Sequence, residues 1–156
     1  MLAANELVKD LQEMRDQGYL ADALLRKAVT TIAAADDRYD WVGAYLLRAD
    51  GQSLWLHNYV GPAAEHAEIL AGQGVCGMAI EERENQNVPD VSVVEDYLPV
   101  NPDVQSELVV LIRAGDDVLG GLDVNSEHLA AFKAEDESAL QAVADKLAEQ
   151  LVAERR

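Results

Sequence analysis

The chain has 156 residues, 49% apolar and 26% charged, which suits one folded domain with its own hydrophobic core. Twelve Lys and Arg against 29 Asp and Glu give a formal charge of −17, a surface that repels phosphate backbones and anionic lipid and so excludes nucleic-acid and membrane-surface partners. The single cysteine, Cys76, excludes an intramolecular disulfide and any CxxC metal or redox motif. No apolar run approaches the roughly 20 residues of a membrane span, and Met1-Leu-Ala-Ala-Asn-Glu6 places no basic region ahead of a long apolar segment; a cytoplasmic protein is expected.

Along the chain, Leu7, Leu11 and Met14 repeat at helical spacing, as do Leu24 or Leu25, Ala28, Val29 and Ile32. Gly18 interrupts them, which predicts two helical segments, or one broken helix, within residues 1–35. Trp41 to Leu47 reads as a strand, Asp50-Gly51 as a hairpin turn and Leu54 to Val60 as the returning strand. Residues 61–74 are irregular and end in Gly72-Gln-Gly74, after which Cys76 to Glu84 can form a short helix. Gln86 to Val91, with Pro89, suits an edge or a loop. Pro99 and Pro102 make residues 96–105 mostly loop. Two apolar strands follow, Leu108 to Arg113 and Val118 to Val124, joined at Ala114-Gly-Asp-Asp117. Leu140, Val143, Ala144, Leu147 and Leu151 then define an amphipathic helix over residues 135–153. Strands flanked by helices at both ends argue for an α+β fold with an antiparallel sheet covered on one face.

Period-2 alternation carries this to the site. Asp123 lies between Leu122 and Val124, so its side chain points away from theirs, and Asn125 shares its face. Trp41 and Tyr45 share a face of the first strand; Trp55 could join them if the strand register allowed. Glu107 opens an apolar strand, either as an exposed end residue or as a pocket carboxylate. His57, His66 and His128 have no metal-ligand spacing with one another or with Cys76, so no metal and no cofactor are expected.

These stretches resemble a GAF domain, and in particular the free methionine-R-sulfoxide reductases. Asp40-Trp-Val-Gly-Ala-Tyr-Leu-Leu47 is similar to their first strand, Gly72-Gln-Gly-Val-Cys-Gly77 to their glycine-cysteine turn and Asn87-Val-Pro-Asp-Val91 to their edge strand. Ser106-Glu-Leu-Val-Val110 is similar to their glutamate strand, and Gly121-Leu-Asp-Val-Asn-Ser126 to their aspartate strand, with Phe132-x-x-Glu-Asp136 leading into the last helix. The resemblance covers residues 38 to 151. It implies a single GAF domain over 1–156, with residues 39–126 forming sheet and pocket, terminal helices on one face and a ligand pocket on the other. It also implies ligand-binding roles for Trp41, Tyr45, Glu107, Asp123 and Asn125.

The departures bear on activity. Counted back from the strand glutamate, the family's nucleophilic cysteine falls on Val100, and its resolving cysteine falls in Glu65-His66. The second acid of the aspartate strand is Asn125. Sulfoxide reduction by this route needs a thiolate that attacks sulfur and an acid that protonates the leaving oxygen. Cys76, near a helix N-terminus, is the one candidate catalytic thiol, and it would need an external thiol to resolve its sulfenic acid; the reading most lone cysteines bear out is a small buried apolar residue in a tight glycine turn. The expected function is a stand-alone module that binds a small, amino-acid-like ligand on a reductase scaffold without reductase activity. An active reductase using Cys76 is one alternative. A module that homodimerises through its terminal helices is another.

Overall fold

The computed structural model describes residues 1–155. Helices α1 (Ala4–Asp16) and α2 (Ala21–Ala35) precede strands β1 (Trp41–Leu47), β2 (Ser53–Val60) and β3 (Glu68–Leu70). Helix α3 (Gly74–Glu82), β4 (Gln86–Val88) and a short 3₁₀ turn (Val91–Val93) lead to β5 (Ser106–Ala114), β6 (Asp117–Ser126) and α4 (Ala134–Ala153). The strands form one sheet in the order β3-β2-β1-β6-β5-β4, with antiparallel pairing throughout. This is the expected α+β fold of a sheet with terminal helices on one face.

The two faces divide the core. On one, Val42, Ala44, Leu108, Val110, Ile112, Leu122 and Val124 meet Leu7, Leu11, Leu24, Leu25, Ile32, Leu140, Val143 and Leu147 from α1, α2 and α4. Each fully buried aliphatic side chain there contributes roughly 1.5–3 kcal/mol. The apolar stripe of α4 is therefore covered within the chain, by β5 and by α1 and α2. On the other face, α3 and the loops pack over Trp41, Tyr45, Val109 and Leu111.

A half-buried polar clamp ties the start of β1 to the start of α4. Arg38 donates to both carboxylate oxygens of Asp136, at 2.7 and 3.1 Å, and to Asp36 at 2.6 Å; the Tyr39 hydroxyl also donates to Asp136. Asp136 in turn accepts from the Lys133 backbone at 2.8 Å, which satisfies one otherwise free group at the head of α4. The Arg38 guanidinium lowers both carboxyl pKa values below the usual range; it overcomes the upward push of burial, the largest single influence at Asp136.

Three expectations need correction. Residues 61–74 are not wholly irregular: Glu68–Leu70 pairs with Ser53–Trp55, a strand too short to show periodicity. Helix α3 begins at Gly74 rather than Cys76 and ends at Glu82, where Arg83 adopts a left-handed conformation. Trp55 does not join Trp41 and Tyr45; it lies opposite Leu46, whose side chain packs on the helix-covered core. Among the described residues, no helix is long and apolar enough to cross a membrane.

Candidate functional site

Strand pairing alone assembles the site on the face away from the terminal helices. Three rungs cross β1, β6 and β5. The first aligns Trp41, Asn125 and Glu107, the second Gly43, Asp123 and Val109, and the third Tyr45, Gly121 and Leu111. All six sequence-predicted site residues, Trp41, Tyr45, Cys76, Glu107, Asp123 and Asn125, are buried on this side of the sheet. Glu107 is only 3% exposed, so it is not a solvated strand end.

Gly43 makes the packing of Trp41 possible. A Cβ on Gly43 would lie 2.3 Å from the Trp41 ring, so the indole lies flat across a position that must lack a side chain. The ring also stacks on Tyr59, centroids 5.5 Å apart, and lies 6.4 Å from the Tyr45 ring. Gly121 on β6 faces Cys76, where a Cβ would meet Sγ at 3.6 Å, an ordinary contact.

A cavity of about 10 Å³, room for one water, lies between sheet, α3 and two loops. Tyr45, Cys76, Glu107 and Asp123 line it from sheet and helix, and His66, Leu98 and Val100 from the loops. The loops are latched: Tyr45 donates its hydroxyl to the His66 carbonyl at 3.1 Å, and the Glu65 N–H donates to the Val100 carbonyl at 3.3 Å. Sequence reasoning marked Val100 and Glu65-His66 only as places lacking a thiol. It missed their role as the cavity roof, because no short-range pattern reports that two loops meet. A surface groove of about 790 Å³ at the head of α4 is larger, but none of the six predicted residues lines it, and its Arg38 and Asp136 pair with each other.

The electrostatics of the site follow from burial. Among the described residues, no Lys or Arg forms an ion pair with Glu107 or Asp123. Burial pushes the Asp123 carboxyl up to about 6, against hydrogen bonds from Glu107 and Asn125 that hold it down. Glu107 is pushed well above the usual carboxyl range by burial first and by the Asp123 charge second. Both shifts favour the protonated form within the pair. Asn125 Nδ2 donates to Asp123 Oδ1 at 2.9 Å. The Tyr97 hydroxyl comes up against Glu107 without a well-formed hydrogen bond.

Cys76 is in the first turn of α3, where the helix dipole favours a thiolate. Burial wins: with the Asp123 and Glu107 charges beside it, it raises the thiol well above its ordinary value. At neutral pH Cys76 is a protonated, 2% exposed thiol, a poor nucleophile.

A sheet whose face away from the terminal helices carries a buried carboxylate pair under α3 and two loops defines a ligand-binding domain class. Residues 20–151 match the GAF domain family, and the chain belongs to it. The chain is 31% identical over 125 residues to the free methionine-R-sulfoxide reductase of Escherichia coli strain K12, spanning 80% of this chain and 70% of that protein. Its fold superposes on the Neisseria meningitidis free methionine-R-sulfoxide reductase, solved in complex with its substrate, with a TM-score of 0.87 at 29% identity, over 97% of this chain and 90% of that one. The type II free methionine-R-sulfoxide reductase from Thermoplasma acidophilum gives 0.80 at 34% identity, over 85% and 93%. The chain is a GAF domain related to these reductases.

Proposed function

We propose that this GAF domain binds a small ligand bearing an ammonium group, amino-acid-like in character, on the Glu107–Asp123 pair, and that it does not reduce sulfoxides. The observation that carries this reading is the buried pair itself. Two carboxylates shielded from water and lacking a protein cation are costly unless something neutralises them. A shared proton does so in the closed state, and a ligand ammonium would do so in the bound state. Trp41 and Tyr45 supply an aromatic wall suited to a small organic cation.

The cavity admits no amino acid as it stands, so binding requires the His66 and Val100 loops to part. Opening breaks the two hydrogen bonds that latch the loops and lifts Val100 from the apolar cluster, a cost the ligand's contacts must meet. The chemistry of reduction, by contrast, lacks its attacking group: Val100 fills the wall where a thiol would face the acids, and Cys76 is held protonated.

Two measurements test this reading together. In calorimetry with a panel of free amino acids, binding is expected to release protons, so affinity rises as pH climbs through about 6, where Asp123 ionises. No heat with any amine-bearing ligand would sink the binding role. In an assay with free methionine-R-sulfoxide and excess dithiothreitol, wild type and Cys76→Ser are expected to be equally inactive, while Val100→Cys gains thiol-dependent turnover. Wild-type turnover that vanishes in Cys76→Ser would instead make this a reductase with a displaced nucleophile.

A further inference from the structure

The loop that brings Leu98 and Val100 to the cavity also carries a buried hydroxyl with nothing to bond, that of Tyr97. Asp96 takes a left-handed conformation just before it, with φ at 54°. Leu98 just after it seats on Gly74, where a Cβ would lie 2.9 Å from that of Leu98. Between these two fixed points, Tyr97 packs against the apolar cluster of the site. Its hydroxyl oxygen is shut off from solvent and comes up against the Glu107 carboxyl without a well-formed hydrogen bond.

The other donors near the carboxylates are committed or lie elsewhere. The Tyr45 hydroxyl donates to the His66 carbonyl, and Asn125 Nδ2 donates to Asp123. Trp41 Nε1 is unpartnered too, but its ring lies against Gly43, Gly61 and Tyr59. The titratable groups around Glu107 are Asp123 from β6, Tyr45 from β1, Cys76 from α3, and His66 and Tyr97 from the two loops. Among them, Tyr97 alone combines an idle hydroxyl with a place on a loop that must move to admit a ligand.

A buried hydroxyl without a partner costs stability, and a hydrogen bond to an ionised acceptor is roughly twice as strong as one between neutral groups. While the carboxylate pair is protonated, Tyr97 gains little from Glu107. A ligand ammonium would hold the pair in its charged form. The hydroxyl then has a charged acceptor within reach, and bonding to it draws the loop down over the occupied site.

We infer that Tyr97 is a positioning residue that locks the Leu98–Val100 loop over an occupied site by donating its hydroxyl to ionised Glu107. This deepens the proposed function and rests on it: the loop closes firmly only after the ligand has charged the pair.

Tyr97→Phe tests the lock, because it deletes only the unpartnered hydroxyl. Without ligand, its urea midpoint at pH 5 is expected to match that of wild type. At pH 9 it is expected to fall below, since the hydroxyl favours ionised Glu107 and its loss raises that carboxyl further in the folded state. A merely structural role would shift the midpoint equally at both pH values, and that result overturns the inference. In calorimetry at pH 7 with L-methionine as the probe, Tyr97→Phe is expected to bind about tenfold more weakly than wild type. Equal affinity of the two proteins overturns the lock and leaves the amine site standing. Absence of binding to wild type overturns the lock together with the amine site, even where the two midpoints behave as expected.

Discussion

The two faces of one sheet were built to opposite ends. Toward α1, α2 and α4, the middle of β5 and β6 presents Leu108, Val110, Ile112, Leu122 and Val124, all aliphatic. Toward α3 and the loops, the alternate residues of the same strands are Glu107, Asp123 and Asn125, buried just as deeply. A strand offers its two faces independently, so one sequence can place stability on one side and a binding site on the other. The polar face carries a standing cost: paired protons, unpartnered atoms and a cavity. The apolar face supplies the excess stability that tolerates it.

Breaking the apolar face has the largest expected effect. Leu122→Ala removes a fully buried side chain between the helices and is expected to lower unfolding free energy by about 3 kcal/mol, read in urea melts. Glu107, its counterpart on the polar face, is expected to behave in the reverse sense, and the comparison fails if the two substitutions destabilise alike.

Next comes Gly43→Ala, which drives a methyl group into the Trp41 ring and is expected to cost about 2 kcal/mol by overpacking. Its tryptophan fluorescence should shift as the indole is displaced; an unchanged spectrum and melt would mean that the ring does not depend on the bare glycine.

Glu107→Gln sharpens the electrostatic side. Asp123 and Glu107 have raised carboxyl pKa values in the folded state, so folding takes up protons. Their contribution to stability is fully present below the ordinary carboxyl range, near 4, and is lost as pH rises through the folded values, about 6 for Asp123 and beyond for Glu107. Removing Glu107 should flatten that decline and stabilise the unliganded protein by about 1 kcal/mol at pH 8 relative to pH 5. A mutant whose stability tracks wild type across this range would show that the pair does not share a proton.

Cys76→Ser is the smallest. With the thiol protonated and packed on Gly121, only its volume and apolar character matter, and a loss of about 1 kcal/mol is expected in thermal melts. Wild-type thiol that reacts rapidly with an alkylating reagent at pH 7 would contradict its burial.

Local patterns made much of this molecule legible. The helical repeats of Leu24, Ala28 and Ile32 and of Leu140, Val143 and Leu147 located α2 and α4, and Asp50-Gly51 located the first hairpin. Alternation around Asp123 placed it and Asn125 on one face, and the spacing of Trp41 and Tyr45 did the same on β1. Three-residue β3 was invisible, because it holds a single buried side chain, Ile69.

By itself, then, the sequence determined which residues share a face, since strand and helix periods are properties of the backbone. It also determined that one thiol and an excess of acid were available. Only the tertiary structure decided which strands are neighbours, and with that which side chains form a rung. Trp41, Asn125 and Glu107 come from three strands far apart in the chain, and their alignment depends on hydrogen-bond register across the sheet. Tertiary packing likewise decided that burial outweighs the helix dipole at Cys76 and that the carboxyl pKa values of Glu107 and Asp123 rise, because both outcomes are set by how completely water is excluded.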